Sequence, residues 1–363
     1  MDRIKIGVIG CGAIAQVHHM PSLSELPELF EVTVVCDISR KTAEYVAQRY
    51  HVPKYVTDYR ELLASDVDAV LHCAGGYKVE PAIATLDAGK HLFIEKPLCA
   101  SRQDADAIIA ARKRSGKVGQ VGYMKVYDPA YEYAKREVDE MDNIQFVQVN
   151  HLHPDNSLHV GQFHVERFDD APQDVIAEGA AKEKAARRQA VGDVPLHVQR
   201  AFGLLSGSMI HDIYGMRVMV GQPTGVVNVE IWREGRAITV TLEYASGARA
   251  VASWVDLSNL WDFRETLEVY GDDKRVLIGY PTGFSRGILS SIVVQGVDER
   301  GTSYRKEPAI DWETAFRREL RHFHDCIVDG VPCRTPIESA RNDISLIIDI
   351  IGRYMETGGA QSA

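Results

Sequence analysis

The chain lacks three features that would assign it at once to a broad class of proteins. It has no apolar stretch near the roughly twenty residues that a membrane-spanning helix requires, so we expect no membrane partner. Its net charge of -10 argues against a nucleic-acid partner, because nucleic acids bind to broad basic surfaces. No signal-peptide pattern precedes the first apolar run, and we expect a soluble, cytoplasmic protein.

The six cysteines lack the spacing of a metal site or of a disulfide framework. No two of them form a CxxC pair, and the first four lie in or beside apolar, strand-like segments. They are Cys11, Cys36, Cys73, Cys99, Cys326 and Cys333. We interpret them as reduced thiols of a cytoplasmic protein and predict no metal site.

Residues 1–122 alternate short apolar runs with helical patterns. This alternation predicts a parallel, doubly wound sheet of the Rossmann type in an α/β domain. One helix is expected to start at a capping box formed by Ser101 and Asp104 and to end at Gly116. The apolar runs lie at 4–9, 32–36, 67–74, 91–94 and 118–123.

Residues 123–363 show a different pattern, in which long strands alternate apolar and polar side chains. The Ser246–Gly247 pair between two of them predicts a tight hairpin turn. We predict an α+β domain with a large, mostly antiparallel open sheet, interrupted by a polar insertion at about 154–200 that carries an exposed helix. The predicted strands lie at 144–152, 226–232, 238–244, 248–255 and 266–270.

A glycine-rich turn follows the first apolar run. Gly10 permits a tight turn after the strand, Gly12 lets the backbone approach a pyrophosphate, and Ala15 is small enough for a helix to pack closely on the strand. The pyrophosphate would lie on the N–H groups at the start of the helix. This pattern predicts a bound dinucleotide.

Asp37 ends the second apolar strand at about the expected twenty residues beyond the glycines. A carboxylate at this position accepts hydrogen bonds from the adenine ribose and repels a 2′-phosphate, which favours NAD over NADP. Arg40 and Lys41 follow directly, and a basic side chain there could accommodate that phosphate. NADP therefore stays open as the second choice.

Four segments together resemble the Gfo/Idh/MocA family of oxidoreductases. They are GVIGCGAIA at 7–15, EKP at 95–97, VGYMKVYDP at 121–129 and IHDI at 210–213. They occur in the family's order and cover essentially the whole chain apart from 154–200. The resemblance implies a nicotinamide-dependent enzyme that acts on a secondary hydroxyl of a sugar, cyclitol or related polyol.

The resemblance also implies two catalytic residues. Lys96 would lie beside the nicotinamide and stabilise the alkoxide character of the substrate oxygen, and Pro97 would follow a cis bond. His211 would exchange the hydroxyl proton. The family usually has an aspartate four residues earlier, where this chain has Gly207. Asp212 points about 100° away on the helix and cannot replace that aspartate, so another residue orients His211 or the proton relay differs.

The remaining predicted site residues surround these two. We expect the dinucleotide to contact Gly10, Gly12, Ala13, Ile14, Ala15, Asp37, Arg40, Ala74, Glu95, Lys96 and Pro97. We expect the substrate to contact Lys96, Tyr123, Lys125, His151, His153, His211 and Asp212. His151 and His153 project to the same face of one strand, where they could bind sugar hydroxyls, a metal, or only neighbouring protein groups.

The predicted function is NAD-dependent hydride transfer between nicotinamide and a secondary hydroxyl or ketone of a sugar, a glycoside (at a ring position such as C3) or a cyclitol. The alternatives are an inositol dehydrogenase, a reductase of a dihydrodiol, imine or tetrapyrrole, and a non-catalytic NAD-binding sensor. We also expect a homo-oligomer, a dimer or tetramer. Apolar residues on what we interpret as both faces of adjacent strands support it: Val229, Ile231, Val240 and Leu242.

Overall fold

The computed structural model describes residues 3–260 and 262–358. The chain divides into two compact units. The first unit contains the chain up to Tyr123, Phe163–Gly192 and Phe316–Ser345. The second unit contains Met124–Gln162, Asp193–Ala315 and the chain from Leu346.

The first unit is built on a parallel sheet of six strands in the order β3-β2-β1-β4-β5-β6. This order is typical of dinucleotide-binding doubly wound sheets, and it confirms the predicted Rossmann fold. The central strands β1, β4 and β5 and the edge strand β6 are almost entirely buried, as expected when helices cover both faces of a sheet. They are β1 Ile4–Ile9, β2 Phe30–Cys36, β3 Lys54–Val56, β4 Ala69–His72, β5 His91–Glu95 and β6 Gly119–Gly122.

The second unit is built on a sheet of eight strands in the order β14-β13-β12-β11-β7-β10-β9-β8. Only β7 and β10 pair in parallel among the described residues of this sheet, so the predicted mostly antiparallel sheet is confirmed. Gly247 has φ of 91° in the turn between β9 and β10, where the sequence predicted a hairpin. The strands are β7 Ile144–His153, β8 Gly225–Trp232, β9 Ala237–Glu243, β10 Arg249–Asp256, β11 Arg264–Gly271, β12 Lys274–Tyr280, β13 Ser291–Val297 and β14 Ser303–Lys306.

Twelve α-helices are present within 3–260 and 262–358, and none of them is long and apolar enough to cross a membrane. The predicted capping box is present, because the Ser101 hydroxyl accepts from the Asp104 N–H at 3.1 Å and Gly116 ends the helix at φ of 66°. The helices are α1 Met20–Ser24, α2 Arg40–Arg49, α3 Tyr59–Leu63, α4 Val79–Asp87, α5 Arg102–Ser115, α6 Pro129–Asp139, α7 Asn156–Val160, α8 Gln173–Val191, α9 Leu196–Leu204, α10 Ile210–Val220, α11 Ala315–Val328 and α12 Ile337–Glu356.

The polar insertion contains one long helix and is attached to the first unit. Helix α8 is exposed along its length, and Ala186 is its one buried residue. Residues 163–192 group with the Rossmann sheet. Gln16 forms two bonds with the backbone of Glu166, at 2.9 and 3.0 Å, and Lys182 pairs with Glu80 on α4 at 2.8 Å.

The register of β8 and β9 corrects one interpretation of the sequence. Val229 lies directly opposite Val240, and Val226 lies opposite Leu242. Residues directly opposite each other in a sheet share a face, as do residues two apart, so Val229, Ile231, Val240 and Leu242 all lie on one buried face. The prediction that they occupy both faces is wrong, and these side chains give no support to a covered second face.

Candidate functional site

The glycine turn after β1 has the geometry that a dinucleotide requires. Gly10 has φ of 89°, and a Cβ there would lie 2.3 Å from the backbone nitrogen of Ala74, so only glycine fits. Gly12 is exposed, and a Cβ built on it would meet nothing within 4 Å. Ala15 is fully buried where the helix packs on the sheet. The turn therefore leaves open space in front of its backbone for a pyrophosphate.

Ala13 and Ile14 form the first turn of the helix that follows, which continues as a π-helical turn, Ala15–His19, into α1. The first N–H groups of a helix have no acceptors within it and carry its positive dipole end. Both residues are half-buried at this end. The structure places them where the sequence predicted phosphate contacts.

Asp37 ends β2 beside the same turn. Its Oδ2 accepts from the Cys11 N–H at 2.8 Å, and its Oδ1 accepts from the Ser39 N–H at 2.9 Å. Burial raises the pKa of Asp37 above its ordinary value, and these two backbone bonds oppose the rise. Each carboxylate oxygen has two lone pairs, so both oxygens keep one for ribose hydroxyls.

Asp170, which the sequence did not predict, contacts the first residues of α2 from the polar insertion. It accepts from the Ser39 hydroxyl and, at 3.0 Å, from the backbone N–H of Lys41. These donors directly follow Asp37, in the stretch that would meet a 2′-phosphate. Arg40 is exposed, and its guanidinium lies 5.8 Å from the centre of the Tyr55 ring. A second carboxylate thus lies beside the residues that directly follow Asp37.

Glu95 belongs to a buried polar network at the end of β5. Its Oε1 lies 2.6 Å from His19 Nε2, its Oε2 accepts from the Lys96 N–H at 3.1 Å, and Lys78 Nζ donates to its carbonyl. The side chain of Glu319 is fully buried, and its carboxylate lies within 4.8 Å of the His19 ring nitrogen and the Glu95 carboxylate. Burial and the charge of Glu95 raise the pKa of Glu319 well above its ordinary value. Burial also raises the pKa of Glu95, but the bond and charge of His19 outweigh it and lower that pKa. One ionised carboxylate therefore supports the backbone at Lys96.

Lys96 follows β5 at the carboxyl edge of the sheet and is half-buried. The Lys96–Pro97 peptide bond is cis, as the resemblance implies. Burial lowers the pKa of Lys96 below its ordinary value, and the charge of Glu95 opposes that change. A partly desolvated cation at this edge can stabilise an oxygen on which negative charge develops.

The second unit brings together four predicted or newly found polar residues in a buried network. His151 Nδ1 lies 2.7 Å from Asp212 Oδ2 and 3.5 Å from Glu265 Oε1. Glu265 also pairs with Lys125 Nζ, which lies 4.4 Å from the centre of the Tyr280 ring. All of these side chains are almost fully buried. Buried charges need such partners, so the network holds each group in one orientation.

His211 lies on α10 and is half-buried, unlike its neighbour Asp212. Its Nδ1 lies 2.9 Å from the hydroxyl of Tyr214, one turn further along the helix. Gly207 lies in a π-helical turn, Leu205–Met209. Tyr214 is therefore one group that contacts the His211 ring, whereas Asp212 pairs with His151.

His153 and Tyr123 complete the predicted substrate residues. The His153 ring stacks on that of His151 with centroids 5.3 Å apart, so both lie on one face of β7, and it also stacks on Trp254. Burial, followed by the charge of His151, lowers the pKa of His153 to about 4, which keeps its ring neutral. Tyr123 is buried at the end of β6 in the first unit, and the other predicted substrate residues except Lys96 are in the second.

Glu265 and Tyr280 were missed because their neighbours are set by tertiary pairing. Tyr214 lies three residues after His211 on the same helix, and this spacing is visible in the sequence. The register of β7 and β11 places Glu265 directly opposite His151. The signal that could have identified Glu265 is an acidic residue on the buried face of an alternating strand. Burying a charge without a partner has a high free-energy cost, so such a residue indicates a buried partner.

Comparison with known proteins assigns the first part of the sequence to a family. Residues 4–123 match the model of an oxidoreductase family with an NAD-binding Rossmann fold, Gfo/Idh/MocA. This stretch contains the glycine turn, Asp37 and the Glu95–Lys96–Pro97 motif. The match agrees with the predicted resemblance to the Gfo/Idh/MocA family over this part of the chain. The family's NAD-binding fold agrees with the predicted cofactor.

Two curated relatives of similar sequence are named for different substrates. The inositol 2-dehydrogenase of Paracoccus denitrificans is 38% identical over 143 residues, which are 38% of this chain and 42% of that protein. The 4-carboxy-2-hydroxymuconate-6-semialdehyde dehydrogenase of a Sphingobium species is 35% identical over 139 residues, 37% of this chain and 43% of that protein. The chain thus spans less than half the length of these relatives.

A solved structure resembles the whole chain. The UDP-N-acetylglucosamine 3-dehydrogenase of Acidithiobacillus ferrooxidans has a TM-score of 0.71 at 16% identity, and the match covers 97% of this chain and 98% of that one. At this identity the likeness shows the fold alone. The two-sheet architecture of this chain is therefore shared with a solved protein.

Proposed function

We propose that the protein is an NAD-dependent oxidoreductase that transfers hydride between nicotinamide and a secondary hydroxyl or ketone of a sugar, glycoside or cyclitol. The observation that carries the proposal is the position of Lys96, a partly desolvated cation at the carboxyl end of β5 in a sheet whose β1 ends in an open glycine turn. The inositol 2-dehydrogenase relative supports the polyol substrate.

The bound nicotinamide supplies the hydride acceptor or donor. In the proposed mechanism Lys96 donates a hydrogen bond to the substrate oxygen and stabilises the negative charge that develops there. His211 Nε2 takes the hydroxyl proton during oxidation and returns it during reduction. The bond between His211 Nδ1 and Tyr214 holds the ring for this exchange.

A cyclitol is as well supported as a glycoside. A long polar insertion could cover a bulky glycoside, but residues 163–192 contact Gln16, α2 and α4 of the first unit. These contacts give no support to a substrate cover.

The proposal is tested by following NADH absorbance with a panel of polyols. The panel contains myo-inositol, free hexoses and methyl glycosides with NAD, the matching ketones with NADH, and a dihydrodiol and a cyclic imine as non-sugar substrates. We expect turnover of at least one hydroxylated ring. Tight NADH binding without any turnover would identify a sensor instead, and turnover of the non-sugars alone would overturn the substrate class.

We further propose that Asp37 and Asp170 together select NAD. A 2′-phosphate beside two carboxylates is repelled, and the Ser39 and Lys41 donors are already engaged with Asp170. In the Asp37→Ala/Asp170→Ala variant we expect the ratio of the NADPH to the NADH association constant to rise about 10- to 100-fold. Titration of intrinsic tryptophan fluorescence measures both constants without any substrate.

The matched control is Asp169→Ala, which removes the same charge from the adjacent, exposed residue. We expect it to leave the ratio within about twofold of the wild type, because exposed charges beyond a contact are screened. If Asp169→Ala raises the ratio as much as Asp170→Ala does, the effect is one of net charge and Asp170 has no selective role.

A cytoplasmic location and a homo-oligomeric state are also proposed. The location is supported by the interpretation of the cysteines as reduced thiols. The oligomer is supported by the family resemblance, and a monomeric mass in solution would contradict it.

A further inference from the structure

A cluster of soft metal-ligand side chains lies in the first unit, apart from the glycine turn and Lys96. His322 and Cys326 are one turn apart on α11, and Cys333 comes from the loop after that helix. Cys326 Sγ lies 3.4 Å from His322 Nε2, and the ligand atoms of all three residues lie within 4.8 Å of one another. Cys326 is buried, whereas the other two are half-buried.

We propose that His322, Cys326 and Cys333 bind a single zinc ion that fastens the loop after α11 to the Rossmann sheet. Zinc bonds of about 2.3 Å to sulfur and about 2.0 Å to nitrogen place tetrahedral ligand atoms about 3.5 Å apart. The observed sulfur–nitrogen distance of 3.4 Å already matches that spacing. Two thiolates and one imidazole are a donor set that zinc favours over hard cations.

The imidazole is in the tautomer that metal binding needs. The backbone N–H of Arg334 donates to His322 Nε2 at 3.0 Å, so Nε2 carries a lone pair and Nδ1 carries the proton. Zinc would coordinate His322 Nε2 through this lone pair, in place of the Arg334 N–H. Arg334 is exposed in a loop, where its N–H can turn to water at small cost.

Zinc binds cysteine as the thiolate, so binding at Cys326 and Cys333 would release the protons of both thiols to solvent.

Gln120 on β6, the edge strand of the sheet, lies close enough to serve as a fourth ligand. Gln120 Nε2 donates to the Glu319 carbonyl at 2.9 Å, which leaves its Oε1 facing Cys333 Sγ at 3.7 Å. This oxygen, or a water, would complete a tetrahedron. The loop already bonds β6 through Thr335 and Val121, at 2.8 and 2.9 Å. Zinc would add a crosslink at the same place.

The test uses the full chain, reduced, treated with a chelator, desalted and then given zinc chloride. We expect elemental analysis to find about one zinc per wild-type chain, a single closed site. Cys326→Ser and Cys333→Ser should each lose most of it, and Cys99→Ala, which removes a buried thiol elsewhere, should retain it. Zinc should raise the melting temperature of the wild type and of Cys99→Ala only, since a ligand stabilises the state that binds it.

Two further measurements keep the outcome decisive. Titration with NADH checks that each serine variant still folds its first unit. Cobalt in place of zinc should give a thiolate charge-transfer band in the wild type and not in Cys326→Ser or Cys333→Ser. The proposal is overturned if the reduced wild type retains no zinc, or if the double serine variant, folded by the NADH criterion, retains as much as the wild type. The proposal would likewise be overturned if Cys326 and Cys333 form a disulfide and the reduced protein binds no zinc.

Discussion

Replacing Lys96 with methionine is expected to lower kcat by about 10²- to 10⁴-fold while NADH binding changes little. Methionine keeps most of the side-chain volume and removes the cation, so the developing charge on the substrate oxygen loses its partner. The glycine turn and Asp37, which would hold the cofactor, are untouched. Steady-state rates with the best polyol and fluorescence titration with NADH measure the two quantities separately.

The pH dependence of Lys96→Arg provides the matched control. Burial lowers the pKa of Lys96, so the wild-type rate should fall as pH rises through that lowered value and the ammonium loses its charge. A guanidinium stays charged throughout the accessible pH range. The alkaline fall of kcat should therefore shift to higher pH in Lys96→Arg, whatever its absolute rate. An unchanged alkaline limb, or full activity in Lys96→Met, would show that Lys96 has no electrostatic role.

The prediction of the cofactor half of the site rests on local chemistry. The turn at Gly10 and Gly12, the strand before it and Asp37 lie within one βαβ unit, and their spacing follows from backbone geometry. The Glu95–Lys96–Pro97 motif follows a buried strand in the same way. In each case a residue's place follows from its own strand or turn, without knowledge of distant segments.

The remaining contacts of the site depend on pairing between segments far apart in the chain, which local sequence patterns do not encode. Asp170 reaches Ser39 from an insertion whose polar composition suggested only a solvated segment. Glu265 meets His151 through the register of two strands far apart in the chain. The faces of Val229 and Val240 were misjudged for the same reason, since alternation within a strand does not say which residue lies opposite in the next.

Tyr214 is expected to contribute to catalysis only through His211, and a double-mutant cycle tests this. The phenol oxygen accepts from the Lys125 N–H at 3.2 Å, and its O–H is directed at Met124 Sδ at 4.0 Å. His211 Nδ1 lies 2.9 Å from the same oxygen, and in the tautomer in which Nδ1 donates to it the ring carries the Nε2 lone pair that a general base needs.

We expect Tyr214→Phe to lower kcat about 10-fold, the loss of one orienting hydrogen bond, and His211→Asn to lower it about 10²- to 10³-fold. Because Tyr214 acts through His211, the double variant should be no slower than His211→Asn. The control is Tyr131→Phe, which removes a buried hydroxyl that donates to the Gly215 carbonyl at 2.7 Å without touching His211. Full additivity of the two losses would show that Tyr214 acts independently of His211. Comparable loss in Tyr131→Phe would show that Tyr214→Phe acts only through packing.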